Sequence, residues 1–202
     1  PSSIDDGLAQ LRAFPSLYNE LKEILTVTLA QSRRLPSQMP KAIGHGALHT
    51  HADYSLAEIM AALQDKSLAD IVKLPREGVK YIEDLNLDIF FVTLVKNDKT
   101  FSPTTSYHDY AISPSKFHWE SQSSTSLKSK TAKRYIHHAE LGSTVLMAVR
   151  NMKTNEVGLA SAYTLLGEID YVRHQSEKPI QIEWELRRPM PNKLYLEGRA
   201  VV

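Results

Sequence analysis

The segment LDIFFVTLVK, residues 87–96, decides the fold, because it marks the change from helical to β character along the chain. It is dense in β-branched and aromatic residues, and the NDK that follows it is typical of a turn. Further segments of the same character lie downstream: KFHWES, KRYIHH, TVLMAVR, AYTLLGEIDYVRH and IQIEWELRRP. Mostly antiparallel strands are therefore predicted between residues 87 and 196, and we expect a twisted sheet that closes into a small barrel.

Upstream of this segment the hydrophobic pattern is helical, with leucine and isoleucine at helical spacing near the N-terminus. Pro15 either begins a second helix or kinks the first. The prolines of RRLPSQMPK indicate a linker, whereas YSLAEIMAAL has a capping box in Ser55 and Glu58. We therefore predict an α+β protein: a helical segment and linker at residues 1–40, followed by a mainly antiparallel, β-barrel-like domain at residues 41–202.

Composition places the chain among ordinary globular proteins, with 42% hydrophobic and 23% charged residues in 202. The absence of cysteine excludes disulfides, thiolate chemistry and Cys-based zinc sites, and it fits a cytoplasmic location. No apolar run approaches the roughly 20 residues that cross a bilayer, so we expect no membrane partner. The formal net charge is +1, so any nucleic-acid surface depends on local clustering of charge.

The common motifs of several enzyme classes are missing. The sequence contains no G-x-x-x-x-G-K-[ST], no G-x-G-x-x-G, no G-x-S-x-G and no H-E-x-x-H. These absences argue against an NTPase, a dinucleotide oxidoreductase, a standard α/β-hydrolase and a zincin. An enzyme of unusual type stays open, but we expect no cofactor and no catalytic residue in this domain alone.

Several phrases carry a family resemblance: FFVTLVKNDKTFSPTTSYHDYAIS, FHWESQSSTS, RYIHH, YTLLGEIDYVRH and PIQIEWELRRPMP, in this order. Over residues 48–190 the chain resembles the family catalogued as domain of unknown function 3427, an accessory domain at the C-terminal end of bacterial superfamily 2 helicases. In such proteins a phospholipase-D-like nuclease domain can precede the motor. The resemblance implies a protein that works on DNA, in phage defence or restriction, with the motor and a nuclease domain as partners. It implies no catalytic mechanism.

The segment KFHWESQSSTSLKSKTAKRYIHH, residues 116–138, is the first candidate site, because hydroxyls, amides and positive charge are the usual groups that contact phosphates. Phe117 and Trp119 add aromatic faces on which an unstacked base can lie, while His118 and Glu120 point to the other face of a strand. The alternative is that both aromatics are core residues and the polar residues form a solvated loop. The residues predicted to contact DNA are Ser121, Gln122, Ser123, Ser124, Thr125, Ser126, Lys128, Lys130, Lys133 and Arg134.

The segment FSPTTSYHDYAIS is the second candidate site, because it combines hydrogen-bonding groups with tyrosines. Asp109 can accept from an exocyclic amine and Tyr107 or Tyr110 can stack, which are the two contacts that hold a flipped base. The alternative is that Pro103 and the neighbouring hydroxyls form a turn and the tyrosines cap the barrel. The residues predicted to form a base pocket or to stack are Tyr107, Asp109, Tyr110, His118 and Trp119.

The histidines predict no metal site. HGALHTH places His49 and His51 two residues apart, but it precedes a helix and has no regular ligand spacing. His137 and His138 would face opposite sides of a strand, so both cannot serve one site.

Three functions follow from these patterns. The first, which we expect, is a non-catalytic module that holds DNA, recognises a distorted or modified base and positions an attached motor. Small barrels that read modified bases offer only a fold-level analogy. The second is a protein-docking module, which the near-neutral charge suits. The third is a nuclease or base-processing site on His108, Asp109 and His118.

Overall fold

The computed structural model describes residues 3–32, 36–64, 66–67, 74–75, 78–94 and 109–199. The chain forms two compact units, Pro1–Leu35 and Pro36–Val202. Among the described residues, no helix combines the length and the apolar character that spanning a membrane requires.

The first unit is helical, with α1 (Ile4–Arg12) followed by α2 (Pro15–Ser32). The Ser3 hydroxyl caps α1 by accepting a hydrogen bond from the Asp6 N–H at 3.1 Å, which satisfies one of the unpaired donors of the first turn. Pro15 is the first residue of α2. It therefore begins a second helix, as the fixed φ of proline favours at that position.

The second unit is a mixed α/β domain whose main sheet consists mostly of antiparallel strands. Its strands are β1 (Ser37–Gln38), β2 (His49–Thr50), β3 (Asp53–Tyr54), β4 (Val79–Ile82), β5 (Leu87–Thr93), β6 (Tyr110–Ser113), β7 (Lys116–Glu120), β8 (Thr144–Arg150), β9 (Tyr163–Gln175) and β10 (Gln181–Leu186). Its helices are α3 (Leu56–Gln64), α4 (Lys130–Ile136) and α5 (Asn192–Arg199).

The main sheet follows the strand order β4-β5-β8-β9-β10-β7-β6, and β3 pairs with β9 beside this path. Among the described strands, β5 and β8 are parallel and the other neighbours are antiparallel. The described path begins at β4 and ends at β6, and these two strands do not pair. The mostly antiparallel sheet is therefore as predicted, but the closed barrel expected from the sequence is not found.

The long strand β9 joins the two parts of the sheet, because its first residues pair with β8 and its last residues pair with β10. Gly167 lies near this change of partner with a φ of +87°, a conformation that residues with a Cβ rarely adopt. A Cβ at this position would also lie 2.8 Å from Thr50 Oγ1. Both the backbone conformation and the close approach of Thr50 therefore require glycine here.

The central strands are buried on both faces. On β5, Phe90 and Val92 belong to a hydrophobic cluster shared with β7, β10, α4 and α5. Ile89 and Phe91 belong to a second cluster, in which α3 covers the opposite face. A strand buried on both sides has a continuous apolar run instead of an alternating one, and this explains the sequence LDIFFVT.

Most strands predicted from the sequence are confirmed. β5 lies within LDIFFVTLVK, whose last two residues are outside the described part of the chain. KFHWES, TVLMAVR, AYTLLGEIDYVRH and IQIEWELRRP correspond to β7, β8, β9 and β10. The predicted capping box is also confirmed at the start of α3. The Glu58 N–H donates to Ser55 Oγ at 3.2 Å, and the Ser55 N–H donates to Glu58 Oε2 at 2.7 Å.

The strand predicted at KRYIHH is wrong, because these residues belong largely to α4. Ser129 Oγ accepts from the Ala132 N–H at 3.1 Å, and an N-cap of this kind favours a helix start. Ala132 and Tyr135, three residues apart, are both buried and so lie on one side of the helix. Packing at helical spacing therefore outweighs the β propensity of Tyr135 and Ile136.

Candidate functional site

A cavity of about 760 Å³ lies in the second unit, beside the ends of several strands. Because β5 and β8 are parallel, their carboxyl ends meet at one edge of the sheet, where Thr93 pairs with Arg150. The volume of the cavity falls in the range of roughly 300–1,000 Å³ found for ligand pockets. We call it the strand-end cavity. Its lining residues are Ser55, Leu56, Ala57, Leu74, Pro75, Gly78, Val79, Phe91, Thr93, Asp109, Trp119, Glu120, Gln122, Ser123, Ser124, Arg150, Lys153, Ala160, Ser161 and Tyr163.

Trp119 belongs both to the core and to the wall of the strand-end cavity. Its indole stacks on Phe90, with the ring centroids 4.2 Å apart and the planes inclined by 9°. The edge of Tyr135 packs against it with the centroids 5.6 Å apart. Only 5% of Trp119 is exposed, so Trp119 is mainly a core residue, which was the alternative to base stacking. The small exposed remainder borders the cavity.

Arg150 places a positive charge in the cavity wall. Its Nε donates to Thr93 Oγ1 at 3.0 Å and its Nη1 donates to the Ser161 carbonyl at 3.4 Å. The guanidinium lies 4.4 Å from the centroid of the Tyr163 ring, within the range of a cation–π contact. Burial raises the pKa of Tyr163, and the nearby Arg150 opposes this shift. Arg150 is thus held in orientation, and the exposed Lys153 adds a second positive charge.

The carboxylate of Asp109 belongs to the cavity wall, whereas that of Glu120 is directed to Gln181 on the other face of β7. Asp109 Oδ1 accepts from the Glu120 N–H at 3.0 Å, which joins the chain before β6 to the end of β7. Glu120 is only 7% exposed, and its Oε1 accepts from Gln181 Nε2 at 3.0 Å. The Asp109 carboxylate, fixed by the Glu120 N–H, can accept a hydrogen bond from an amino group of a ligand.

The structure brings together residues from both sites considered in the sequence. Asp109 and Trp119, predicted for a base pocket, line the same cavity as Gln122, Ser123 and Ser124, predicted for DNA contact. Ser123 and Ser124 are exposed. The two segments, which lie apart in the sequence, therefore contribute to one surface.

Other predicted hydroxyl residues support the loop that follows β7. Ser121 is fully buried, and its Oγ accepts from the Ile180 N–H at 2.9 Å. Thr125 is also buried. Ser126 Oγ donates to Glu177 Oε1 at 2.7 Å, and the Leu127 N–H donates to the same oxygen at 2.9 Å. These residues hold the loop in shape beside the cavity.

Lys128, Lys130 and Lys133 are exposed on this loop and on α4, whereas Arg134 forms an internal ion pair. Its Nε and Nη2 donate to the two carboxylate oxygens of Asp88 at 2.8 and 3.1 Å. The guanidinium also lies 3.9 Å from the ring centroid of Tyr81. Arg134 therefore attaches α4 to the sheet, and its phosphate contact stays a prediction that competes with this pair.

Tyr110 and His118, which were also predicted for the base pocket, are not among the residues that line the strand-end cavity. The rings of Tyr110 and His118 stack on each other with centroids 4.6 Å apart. Because side chains alternate along a strand, His118 lies on the face of β7 opposite Trp119, where it lines a smaller pocket of about 30 Å³. Tyr107 and His108 lie outside the described residues. The proposed catalytic group of His108, Asp109 and His118 is therefore not assembled by the described residues.

The described residues contain no group of three or more His, Cys, Asp or Glu side chains that could hold a metal ion. His137 and His138 lie at the C-terminal end of α4, not on a strand. His137 is exposed, with its Nδ1 3.2 Å from Glu140 Oε2. His138 is buried, and its Nε2 accepts from the Tyr171 N–H at 3.0 Å. The two imidazoles thus serve different local contacts.

Several residues that line the cavity were not predicted from the sequence: Thr93, Glu120, Arg150, Lys153 and Tyr163. A signal was available for two of them. Arg150 follows directly after the apolar run TVLMAV, and Glu120 follows directly after KFHW. A charged residue at the end of a buried strand often points to the place where a loop-lined site begins.

A family model described as Domain of unknown function (DUF3427) matches residues 48–197. The chain belongs to the DUF3427 family. All residues that line the strand-end cavity fall within the DUF3427 match, whereas α1 and α2 precede it. No curated protein matches the sequence. The DUF3427 description assigns no activity.

Proposed function

We propose that this chain is the DNA-binding accessory module of a bacterial helicase-type defence protein. In this proposal the strand-end cavity receives a distorted or modified base, and the adjoining loop contacts phosphates. The observation that carries the proposal is the meeting of Asp109, Trp119 and Arg150 with exposed hydroxyls in one cavity. The module would hold the DNA for an attached motor and nuclease, without chemistry of its own.

The lining chemistry suits a nucleobase, because a base needs an apolar wall and hydrogen-bonding groups at its edge. Trp119 and Tyr163 are rigidly packed and present only small parts of their rings to the cavity, since each is 5% exposed. Asp109 supplies a carboxylate, which accepts from exocyclic amino groups such as that of cytosine. The volume of about 760 Å³ leaves room for a base together with its sugar and one phosphate. Arg150 and Lys153 suit that phosphate.

The phosphate contacts are assigned to the loop after β7 and to α4. Ser123 and Ser124 are exposed at the cavity, and Lys128, Lys130 and Lys133 are exposed further along the same stretch. Hydroxyls and lysines in this arrangement are typical of contacts to a DNA backbone. Because the whole chain carries a net charge of only +1, the affinity would come from this local cluster.

The proposal is tested by fluorescence anisotropy of labelled DNA, single- and double-stranded, with unmodified and methylated cytosine, at several salt concentrations. Replacing Lys128, Lys130 and Lys133 by Ala should weaken binding of every DNA form. It should also lower the slope of log affinity against log salt by about 0.9 for each phosphate that the variant no longer neutralises. The matched control replaces three exposed lysines remote from the cavity, Lys41, Lys66 and Lys193. No binding of any DNA at low salt would refute the proposal.

The cavity is tested separately at Ser124, which is exposed and lines it. Ser124→Trp obstructs part of the cavity, whereas Ser124→Ala removes only a hydroxyl. We expect the tryptophan variant to lose preference for the favoured DNA form while general binding remains. Equal preference in both variants would place base recognition elsewhere.

A second candidate function, docking to a partner protein, is favoured by the apolar side chains exposed on α2. Leu17, Ile24 and Leu25 are 48%, 54% and 65% exposed, and they recur at the spacing of one helix face. Apolar docking is nearly insensitive to salt, whereas phosphate binding weakens steeply with it. Salt-independent binding of the motor domain, without DNA binding, would favour this candidate.

A further inference from the structure

A short hairpin rises from the rim of the strand-end cavity, between β8 and β9. The Ser161 N–H donates to the Lys153 carbonyl at 3.1 Å, and Thr154 and Ala160 form a β-bridge. Lys153, Ala160 and Ser161 also line the cavity. The base of the hairpin and the wall of the cavity are therefore the same residues.

The tip of this hairpin is ordered by Asn155. Its Oδ1 accepts from the Val157 N–H at 3.2 Å and from the Leu159 N–H at 2.9 Å. The Asn155 N–H donates to the Leu159 carbonyl at 2.8 Å. Gly158 has a φ of +81°, which suits the sharp turn between them. The tip is thus a built turn, not a loose loop.

This ordered tip presents apolar side chains. Val157 is 78% exposed and Leu159 is 65% exposed, although burial is the usual state of both residue types. Proteins that extract a base from duplex DNA often insert such apolar side chains between base pairs, because the insertion offsets the lost stacking. A cavity for the base and an apolar tip on its rim are the two parts that such an extraction needs.

The charges around the tip are mixed. Lys153 lies at the base of the hairpin and Arg150 lies in the cavity wall, and both favour a polyanion. Glu156 is exposed beside Val157, and its negative charge opposes the approach of a polyanion. This single carboxylate provides an internal test, because its removal should matter only if the tip approaches DNA.

We infer that the hairpin of residues 151–161 is a wedge that inserts Val157 and Leu159 into duplex DNA while a base occupies the strand-end cavity. This inference rests on the proposed function and adds a mechanism to it. The wedge occupies the space that the base leaves, so the cavity and the tip act on the same nucleotide pair. Single-stranded DNA has no base pair to open and does not need the wedge.

The test uses the full chain with Val157→Ser and Leu159→Ser combined. The matched control is Ile112→Ser with Leu196→Ser, two apolar residues that are 40% and 50% exposed elsewhere. The probes are a duplex with 2-aminopurine next to unmodified or methylated cytosine, the same duplex lacking the base opposite that cytosine, and the single strand. Anisotropy gives affinity, and 2-aminopurine fluorescence gives unstacking.

We expect the wedge variant to lose about 10- to 100-fold in affinity for the intact duplex, together with the fluorescence increase. It should lose little for the duplex with the missing base or for the single strand. Glu156→Gln should raise duplex affinity about two- to fivefold. The control variant should behave like the unchanged protein.

Three results would overturn the inference. Unchanged duplex affinity and unstacking in the wedge variant would reject the wedge while the proposed function stands. An equal loss for every DNA form would show a general defect instead of a wedge. If the unchanged protein binds no DNA at all, the proposed function fails, and the wedge fails with it.

Discussion

Replacing Arg134 by Ala should destabilise the domain strongly, because it leaves the carboxylate of Asp88 buried without its partner. Asp88 is 1% exposed, and Arg134 binds both of its oxygens. Removing one member of a buried ion pair costs roughly 3–5 kcal/mol. Arg134 itself is partly exposed, with 22% of its side chain accessible, so water can reach the vacated space. We therefore expect a loss near the lower value, about 3 kcal/mol.

The pH dependence of this loss gives a sharper test. Burial raises the pKa of Asp88 even with Arg134 beside it, although Arg134 opposes the shift. Without Arg134 the folded-state pKa should rise further. A carboxyl group whose pKa is higher in the folded than in the unfolded state lowers the free energy of unfolding as the pH rises above its unfolded pKa of about 3.9. The loss in Arg134→Ala should therefore be larger at pH 7 than at pH 4.5.

Urea unfolding followed by tryptophan fluorescence measures this free energy, because both tryptophans, Trp119 and Trp184, are buried in the core. Arg199→Ala is the control, since Arg199 is exposed and lies 5.9 Å from the Tyr195 ring centroid. We expect it to change stability by less than about 0.5 kcal/mol. A loss below about 1 kcal/mol in Arg134→Ala, or one that does not shrink at low pH, would refute a stabilising role of the Arg134–Asp88 pair. Phosphate contact would then be the remaining role predicted for Arg134.

Two further predictions concern the same domain. Gly167→Ala should lower the free energy of unfolding by about 2–4 kcal/mol, because strain at positive φ adds to the clash with Thr50. The control, Gly142→Ala, is also at positive φ but has open space around its Cβ, so it should cost only about 1 kcal/mol. Equal melting temperatures for the two variants would contradict this. Burial, with a contribution from Arg188, lowers the pKa of His51 from 6.5 to about 4. Stability should therefore fall by up to about 3 kcal/mol as the pH drops through this window, and His51→Gln should remove that slope in urea unfolding at pH 4 to 7.

The strands could be predicted from the sequence because burial on both faces leaves a continuous apolar run, as in LDIFFVT and TVLMAVR. KRYIHH could not, because a short helix offers too few residues to show a helical period, and Tyr135 and Ile136 favour strands. The sequence also could not show that the sheet stays open instead of closing into a barrel. It depends on whether β4 and β6 meet, and this is decided by sheet twist and not by the residues of either strand.

The candidate site was predictable in its residue types but not in its assembly. Asp109, Trp119 and Ser124 were identified from aromatic and polar clusters, and they line one cavity. Arg150 was not predicted as a site residue because it ends a buried strand, whereas the predicted positive charges lie in a segment rich in lysine. Arg134 looked like a surface cation, since nothing near it in the sequence reveals the buried Asp88, 46 residues away.

The parallel pairing of β5 and β8 has a consequence for the nascent chain. Paired residues of these strands, such as Thr93 and Arg150, are 57 residues apart, and β6, β7 and α4 are synthesised between them. Until Arg150 has left the ribosome, β5 can pair only with β4 and exposes the apolar edge that β8 will cover. At about 5–20 residues per second, translation leaves this edge open for several seconds. We therefore expect this edge to be prone to pairing with other chains during synthesis.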